Sequence, residues 1–257
     1  MARAFTSTLL RKYEVAYFQC PDCGLLQTEQ PYWLDEAYSE AIAFADTGLI
    51  RRNISIALKL ASLIHFELES GAAYVDMAGG YGMLTRLMRD FGIDFYWSDK
   101  YCQNLLARGF EAEQADRPFS AITAFEALEH IHDPLAFVSG AMEKHNTRTL
   151  IFSTELYAGS LPQMDWWYFA FNSGQHISFY TIQTLRIIAG QLGLHLHSAN
   201  GIHMLTDKRI RAGRFAMTTG ILAYPLAFYV KKRLRSLTFS DHERMMCGAF
   251  DTAGDAR

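Results

Sequence analysis

Between residues 71 and 206, short apolar runs alternate with helical patterns, and that alternation leaves few folds open to the chain. The runs at 73–77, 93–97, 121–125 and 149–153 read as strands. Helical patterns sit among them at 84–91, 103–108 and 134–144, and a helix at 182–192 precedes extended runs at 194–198 and 202–205. Units of this kind close through right-handed crossovers into a mostly parallel sheet flanked by helices. With 257 residues there is room for one such α/β core and an appendage at either end. The expected division is an N-terminal ribbon and helix over 1–47, the core over 48–206 and a helical extension over 207–257.

The most informative segment is Val75-Asp76-Met77-Ala78-Gly79-Gly80-Tyr81-Gly82. A strand ending in an acid, then a glycine-rich bend, then a helix is a nucleotide-binding layout. Small residues let the backbone approach the ligand, and the helix N-terminus adds partial positive charge. Dinucleotide binders use G-x-G-x-x-G/A, and reading from Gly80 puts Thr85 at the last position, which fails. Binders of S-adenosylmethionine (SAM) use an acid-x-G-x-G-x-G bend, matched by Asp76, Ala78, Gly80 and Gly82 with alanine for the first glycine. That alanine costs little at negative φ and strains the bend at positive φ. An acid about 20 residues on should accept hydrogen bonds from ribose hydroxyls, and Asp99 fits.

On these residues the chain resembles the class I SAM-dependent methyltransferases, in the broad group acting on small molecules and sugars. The resemblance covers about 70–205 and includes Glu126-Ala127-Leu128-Glu129-His130-Ile131-His132-Asp133-Pro134, similar to the family's E-x-x-E-H-x-x-D-P segment. It implies a Rossmann-like, doubly wound, seven-stranded sheet with its last strand antiparallel, and SAM as cofactor. The bend residues Asp76, Ala78, Gly79, Gly80, Tyr81 and Gly82 would hold it, with Asp99 on the ribose and Glu126 on the methionine side.

Methyl transfer is an in-line displacement that needs a positioned acceptor and a group to take its proton. A long connection over 156–180 follows the strand at 149–153, and a loop of that length in a compact domain is usually functional. His176 within it is the leading base, because imidazole titrates near neutral pH. Gln175-His176-Ile177-Ser178-Phe179-Tyr180 also resembles the E-H-x-x-Y-Y stretch of sugar C-methyltransferases, with glutamine and phenylalanine as departures. Trp166, Trp167 and Tyr168 read equally as an acceptor wall and as core filling. Tyr38 lies in the region from which similar enzymes place a tyrosine over the cofactor, although an ordinary amphipathic-helix aromatic also fits. Glu129 and His130 form a polar pair ranked behind His176.

The remaining signals are weaker. Cys20-Pro21-Asp22-Cys23 resembles half of a zinc-knuckle module, but a closed zinc site needs four ligands and residues 1–19 hold neither cysteine nor histidine, so no metal is expected. A formal charge of −3 argues against nucleic acid as a partner, and the expected partner is a small molecule. No secretory signal is evident at the N-terminus, so a cytoplasmic protein is expected. The uncharged stretch 215–230, broken by Pro225 and flanked by cations, reads as a buried helical hairpin or as peripheral membrane contact through 208–235; it is too short for a regular span. A non-catalytic SAM-binding or scaffold protein is the competing functional reading. The methyl acceptor, carbon or oxygen methylation and oligomeric state are not written in these residues.

Overall fold

The structure is a computed structural model that describes residues 1–38 and 46–254, with side chains described through 247. In chain order it begins with β1 (Ala2–Leu9), β2 (Tyr13–Gln19), β3 (Leu26–Thr28), α1 (Leu34–Ala37) and α2 (Leu49–Glu67). Next come β4 (Ala73–Met77), α3 (Met83–Asp90), β5 (Asp94–Ser98), β6 (Phe119–Ala124), α4 (Pro134–Lys144) and β7 (Thr149–Phe152). The chain continues through β8 (Ser178–Phe179), α5 (Ile182–Gln191), β9 (His195–Ala199) and β10 (Ile202–Thr206) to α6 (Ala212–Thr219), α7 (Ala223–Arg233) and α8 (Thr238–Gly254). The helix expected within 1–47 begins as α1, and residues 39–45 lie outside the described residues.

Six strands form the central sheet in the order β5-β4-β6-β7-β10-β9, with the pairs β4–β5 and β6–β7 parallel. The chain's last strand, β10, runs antiparallel to both β7 and β9, as expected. Among the described residues the count is six rather than seven. Beyond β5 only an isolated parallel bridge, Trp97 to Glu111, marks where another strand would run. The sequence after Phe110, Glu111-Ala112-Glu113-Gln114, is poor in β-branched and aromatic residues, and it forms a 3-10 turn over Ala112–Gln114. The helix expected at 103–108 is also absent. There the Asn104 side chain accepts the Ala107 N–H at 2.9 Å, a local bond that competes with helix formation, and Tyr81 O takes the amides of Leu105 and Leu106.

The contacts divide the chain into two compact units, 1–47 with 122–210 and 48–121 with 211–257. In the first, a four-stranded ribbon β1-β2-β3-β8 closes over an aromatic core. Val15 and Tyr17 of β2 alternate inward onto Leu26, Trp33, Phe169 and Phe179, and Phe5 stacks on Tyr17 at 4.5 Å. The Cys20–Cys23 turn is tied into this unit through its last carbonyl. Cys23 O accepts the hydroxyls of Thr181 at 2.6 Å and Thr184 at 2.9 Å, the two residues that form the capping box of α5. Neighbouring Gly24 has φ of +77°, and a Cβ there would lie 2.7 Å from Thr181 Cγ2.

In the second unit, α2 packs against α3, α6 and α7. Its buried stripe is Ile56, Leu60, Leu63 and Ile64, whereas Ile54 is exposed. Arg89 of α3 is buried between Asp241 and Asp94, at 2.8 and 2.7 Å, with its guanidinium 3.8 Å from the centre of the Phe110 ring. These pairs hold the Asp241 carboxyl below its usual range despite burial, and they fix α8 to the unit.

Candidate active site

Within the second unit, β4 delivers buried Asp76 to a bend whose backbone alternates in hand. Ala78, Gly80 and Gly82 have φ of +64°, +54° and +88°. Glycine takes this conformation freely, and the alanine is strained in it. The glycines also clear space. A Cβ on Gly79 would stand 2.7 Å from Trp97 Cδ1, and one on Gly82 would stand 2.8 Å from Asn104 Oδ1 and 3.0 Å from the Ala107 amide. A Cβ on Gly80 would meet nothing within 4 Å. Gly82 then caps α3, whose first-turn N–H groups point back toward the bend.

Asp99, just past β5, turns its carboxylate to this bend. Its Oδ2 accepts the Gly80 N–H at 2.9 Å, and its Oδ1 accepts the amides of Tyr101 and Cys102 at 2.7 and 2.8 Å. Trp97 lies against the same bend, and its indole N–H donates to Gly80 O at 2.8 Å.

Within the first unit, a second cluster forms where the chain leaves β6. Glu126 is held at φ +51°, its N–H donating to Ser153 Oγ at 3.0 Å while that hydroxyl donates to its carboxylate at 2.5 Å. A 3-10 turn over Leu128–His130 then buries Glu129 completely. Neither Glu129 oxygen reaches a hydrogen-bond partner among the described residues. Burial, then the charge of Glu126, pushes its carboxyl up to about 8 against weaker pulls from the Tyr168 and Thr154 hydroxyls.

Two imidazoles face this carboxyl. His130 Nδ1 lies 3.0 Å from Gln175 O, and His176 Nδ1 lies 2.7 Å from Tyr168 O. A carbonyl only accepts, so the contact with Tyr168 O puts the proton of the neutral His176 ring on Nδ1 and makes Nε2 its basic nitrogen. The rings are 5.0 Å apart, with Tyr168 4.6 Å from His176 and Tyr38 6.0 Å from His130. Burial pulls the His130 imidazole below its usual range, against backbone contacts with Gln175 and Glu126 that pull it up. Glu129, His130 and His176 offer ligand atoms within 4.8 Å of one another, a set able to hold a cation, whereas Cys20 and Cys23 belong to no such group of three among the described residues.

The structure thus brings Tyr38, Tyr168 and His176 to one cluster with Glu129 and His130. The three consecutive aromatics part company. Tyr168 is buried, with its hydroxyl 3.2 Å from Thr154 Oγ1 and accepting the Glu155 N–H; Trp166 packs on the aromatic core; Trp167 is 73% exposed. Glu129 and Gln175 carry more of the geometry than their residue types signalled, Gln175 donating through Nε2 to Ala37 O at 2.8 Å. The E-x-x-E-H spacing was the available clue.

Residues 50–199 match the family model described as a methyltransferase domain, more than half the chain. The chain belongs to the class I SAM-dependent methyltransferase family. Several solved structures are similar to the chain at low identity. An O-methyltransferase family 2 protein from Planctomyces limnophilus, in complex with apigenin, is 16% identical with a TM-score of 0.46, over 63% of this chain and 60% of that one. The magnesium protoporphyrin IX methyltransferase of Synechocystis with bound SAM is 16% identical with a TM-score of 0.42, over 68% and 89%. DesVI of Streptomyces venezuelae is 10% identical with a TM-score of 0.45, over 65% and 99%. No curated protein matches the sequence significantly.

Proposed function

We propose that this methyltransferase transfers a methyl group from SAM to a small-molecule acceptor, with a sugar or glycoconjugate precursor as the class. The observation that carries the reading is the carboxylate of Asp99 turned to the 78–82 bend, where a ribose hydroxyl would meet it. The open approach at Gly80 suits a ligand seated against backbone. Asp76, Ala78, Gly79, Gly80, Tyr81 and Gly82 would hold the adenosyl part, and Glu126 the methionine side. SAM supplies an electrophilic methyl carbon on a sulfonium.

His176 then meets the acceptor. As the acceptor's oxygen or carbon bonds to the methyl carbon, the carbon–sulfur electron pair goes to sulfur and the acceptor's proton goes to Nε2. The contact from Tyr168 O holds the ring in the tautomer that can receive it. Glu129 lies within reach of the same ring and keeps its own proton until pH climbs through about 8, so below that pH it would meet the imidazolium as a neutral carboxyl. Tyr38 orients the acceptor beside His130, and Trp167 offers an exposed ring for a sugar face, with Trp166 and Tyr168 supporting it from the core.

Calorimetric titration with S-adenosylhomocysteine tests the cofactor half. Micromolar binding by the wild type, weakened about tenfold by Asp99→Asn, is expected, the loss of roughly one charge-assisted hydrogen bond. No binding by the wild type would overturn it. The competing reading is a SAM-binding protein without turnover. Under that reading, S-adenosylhomocysteine binds and no candidate sugar acceptor gains 14 mass units.

A further inference from the structure

The C-terminal extension contains charge and apolar surface that methyl transfer does not use. Between 208 and 235 there are eight Lys and Arg and no Asp or Glu, in a chain of net charge −3. All eight are exposed. Arg214 pairs with Glu67 at 2.8 Å, and the others flank the helical pair on both sides.

The helices between these cations are amphipathic with an unusual outer face. α7 turns small residues inward, Ala223 and Ala227 with Val230, against α2. Outward it presents Tyr224, Phe228 and Tyr229, and the turn before it presents Ile221 and Leu222. Ile221 is 82% exposed and Phe228 61%. Ser55 Oγ lies 3.1 Å from Tyr224 hydroxyl, which places the exposed Ile54 of α2 in the same neighbourhood. Lys232 Nζ stands 4.7 Å over the Phe228 ring, so a cation sits directly on the aromatic face. Solvated helices put polar groups on this side, and contiguous apolar surface rimmed by cations marks an interaction site.

We propose that the α6–α7 surface docks on an anionic lipid bilayer, with Ile221, Leu222 and Phe228 at the acyl boundary and the flanking cations on lipid phosphates. The chemistry selects this occupant. Aliphatic and aromatic side chains bracketed by uncompensated cations match a surface that is apolar inside and negative at its rim. α7 has 11 residues, about 16 Å at 1.5 Å per residue, and no helix among the described residues is long and apolar enough to cross a membrane. The segment therefore lies along the interface. A second copy of the chain would bring like charges together at this face, and a neutral partner would leave the cations without counterions.

The test is flotation of the full chain with vesicles of phosphatidylcholine alone or with about one-third phosphatidylglycerol. Binding is expected only to the anionic vesicles, with release on raising the salt several-fold, because the attraction is screened within a Debye length. Lys231→Glu/Lys232→Glu should weaken binding by at least tenfold, each cation near the surface being worth roughly fivefold. Ile221→Ser/Phe228→Ser should abolish it while thermal unfolding and S-adenosylhomocysteine binding stay unchanged, since both residues are exposed. Equal recovery with neutral vesicles, unaltered binding by either double variant, or concentration-dependent dimerisation that Ile221→Ser/Phe228→Ser removes would each overturn the proposal.

Discussion

The strained alanine of the bend gives the sharpest check on the backbone described above. Ala78 is exposed and its methyl buries nothing, yet its φ is +64°. Left-handed backbone costs an L-residue about 1–2 kcal/mol, and glycine returns roughly 0.5–1 kcal/mol of that through the greater freedom of its unfolded chain. Ala78→Gly should therefore stabilise the protein by about 0.5–1 kcal/mol, raising Tm by roughly 1–4 °C for a chain of this size. The other bend positions calibrate the sign. Gly80→Ala adds a Cβ into open space at φ +54°, so the same two contributions with their signs reversed should lower Tm by roughly 1–4 °C. Gly82→Ala adds strain and a contact 3.0 Å from the Ala107 amide, which backbone cannot easily relieve, so its loss should be larger. Scanning calorimetry of the three variants in one buffer gives the order Ala78→Gly, wild type, Gly80→Ala, Gly82→Ala. A fall in Tm for Ala78→Gly, or no loss for Gly82→Ala, would refute the left-handed assignment at that residue.

Three further outcomes are expected. The Glu129 carboxyl is raised from the ordinary carboxylate range to about 8, so the folded state binds its proton more tightly than the unfolded one. That stabilisation is full at low pH and is lost as pH climbs through about 8. Glu129→Gln should thus gain on wild type by about 1–3 kcal/mol between pH 5 and pH 9, read from guanidinium midpoints, and parallel pH profiles would contradict the buried carboxyl. His176→Ala should cut turnover by about 10²–10⁴ while S-adenosylhomocysteine affinity stays within twofold, and unchanged turnover removes the base. Arg89→Ala leaves the buried Asp241 carboxylate without its main partner and should cost about 3–5 kcal/mol in urea unfolding; a loss under 1 kcal/mol would show that α8 is not anchored there.

Much of the core was legible because local signals agreed with the fold. β4 and α4 fall at the expected residues, the helix being announced by Asp133, which accepts the Ala136 N–H at 3.0 Å, and by Pro134 at its first turn. β1 was not legible, because Phe5 and Leu9 are its only large apolar residues and its stability comes from pairing with β2. Apolarity over 215–230 signalled burial, yet Phe228 faces outward, since the small inward residues Ala223 and Ala227 serve close helix packing. At the candidate site, residue type pointed to Asp99, Tyr38 and His176. The burial of Glu129 was hidden, because it depends on Tyr168 and Ile177 arriving from a connection some 40 residues later, where Ile177 N–H donates to Glu129 O at 2.8 Å. Nor could three neighbouring aromatics reveal which would turn to solvent.

The bonds from Thr181 and Thr184 to Cys23 O give the N-terminal ribbon a duty unrelated to thiol chemistry. They make the turn a clasp over the entrance of α5, while Val15, Tyr17 and Trp33 supply part of the wall behind it. Excising the first 47 residues to isolate a minimal catalytic fragment would unfasten that helix and bare the aromatic wall. The appendage is thus inseparable from the enzyme's body, and its two cysteines could be exchanged for serine far more safely than the turn that holds them could be removed.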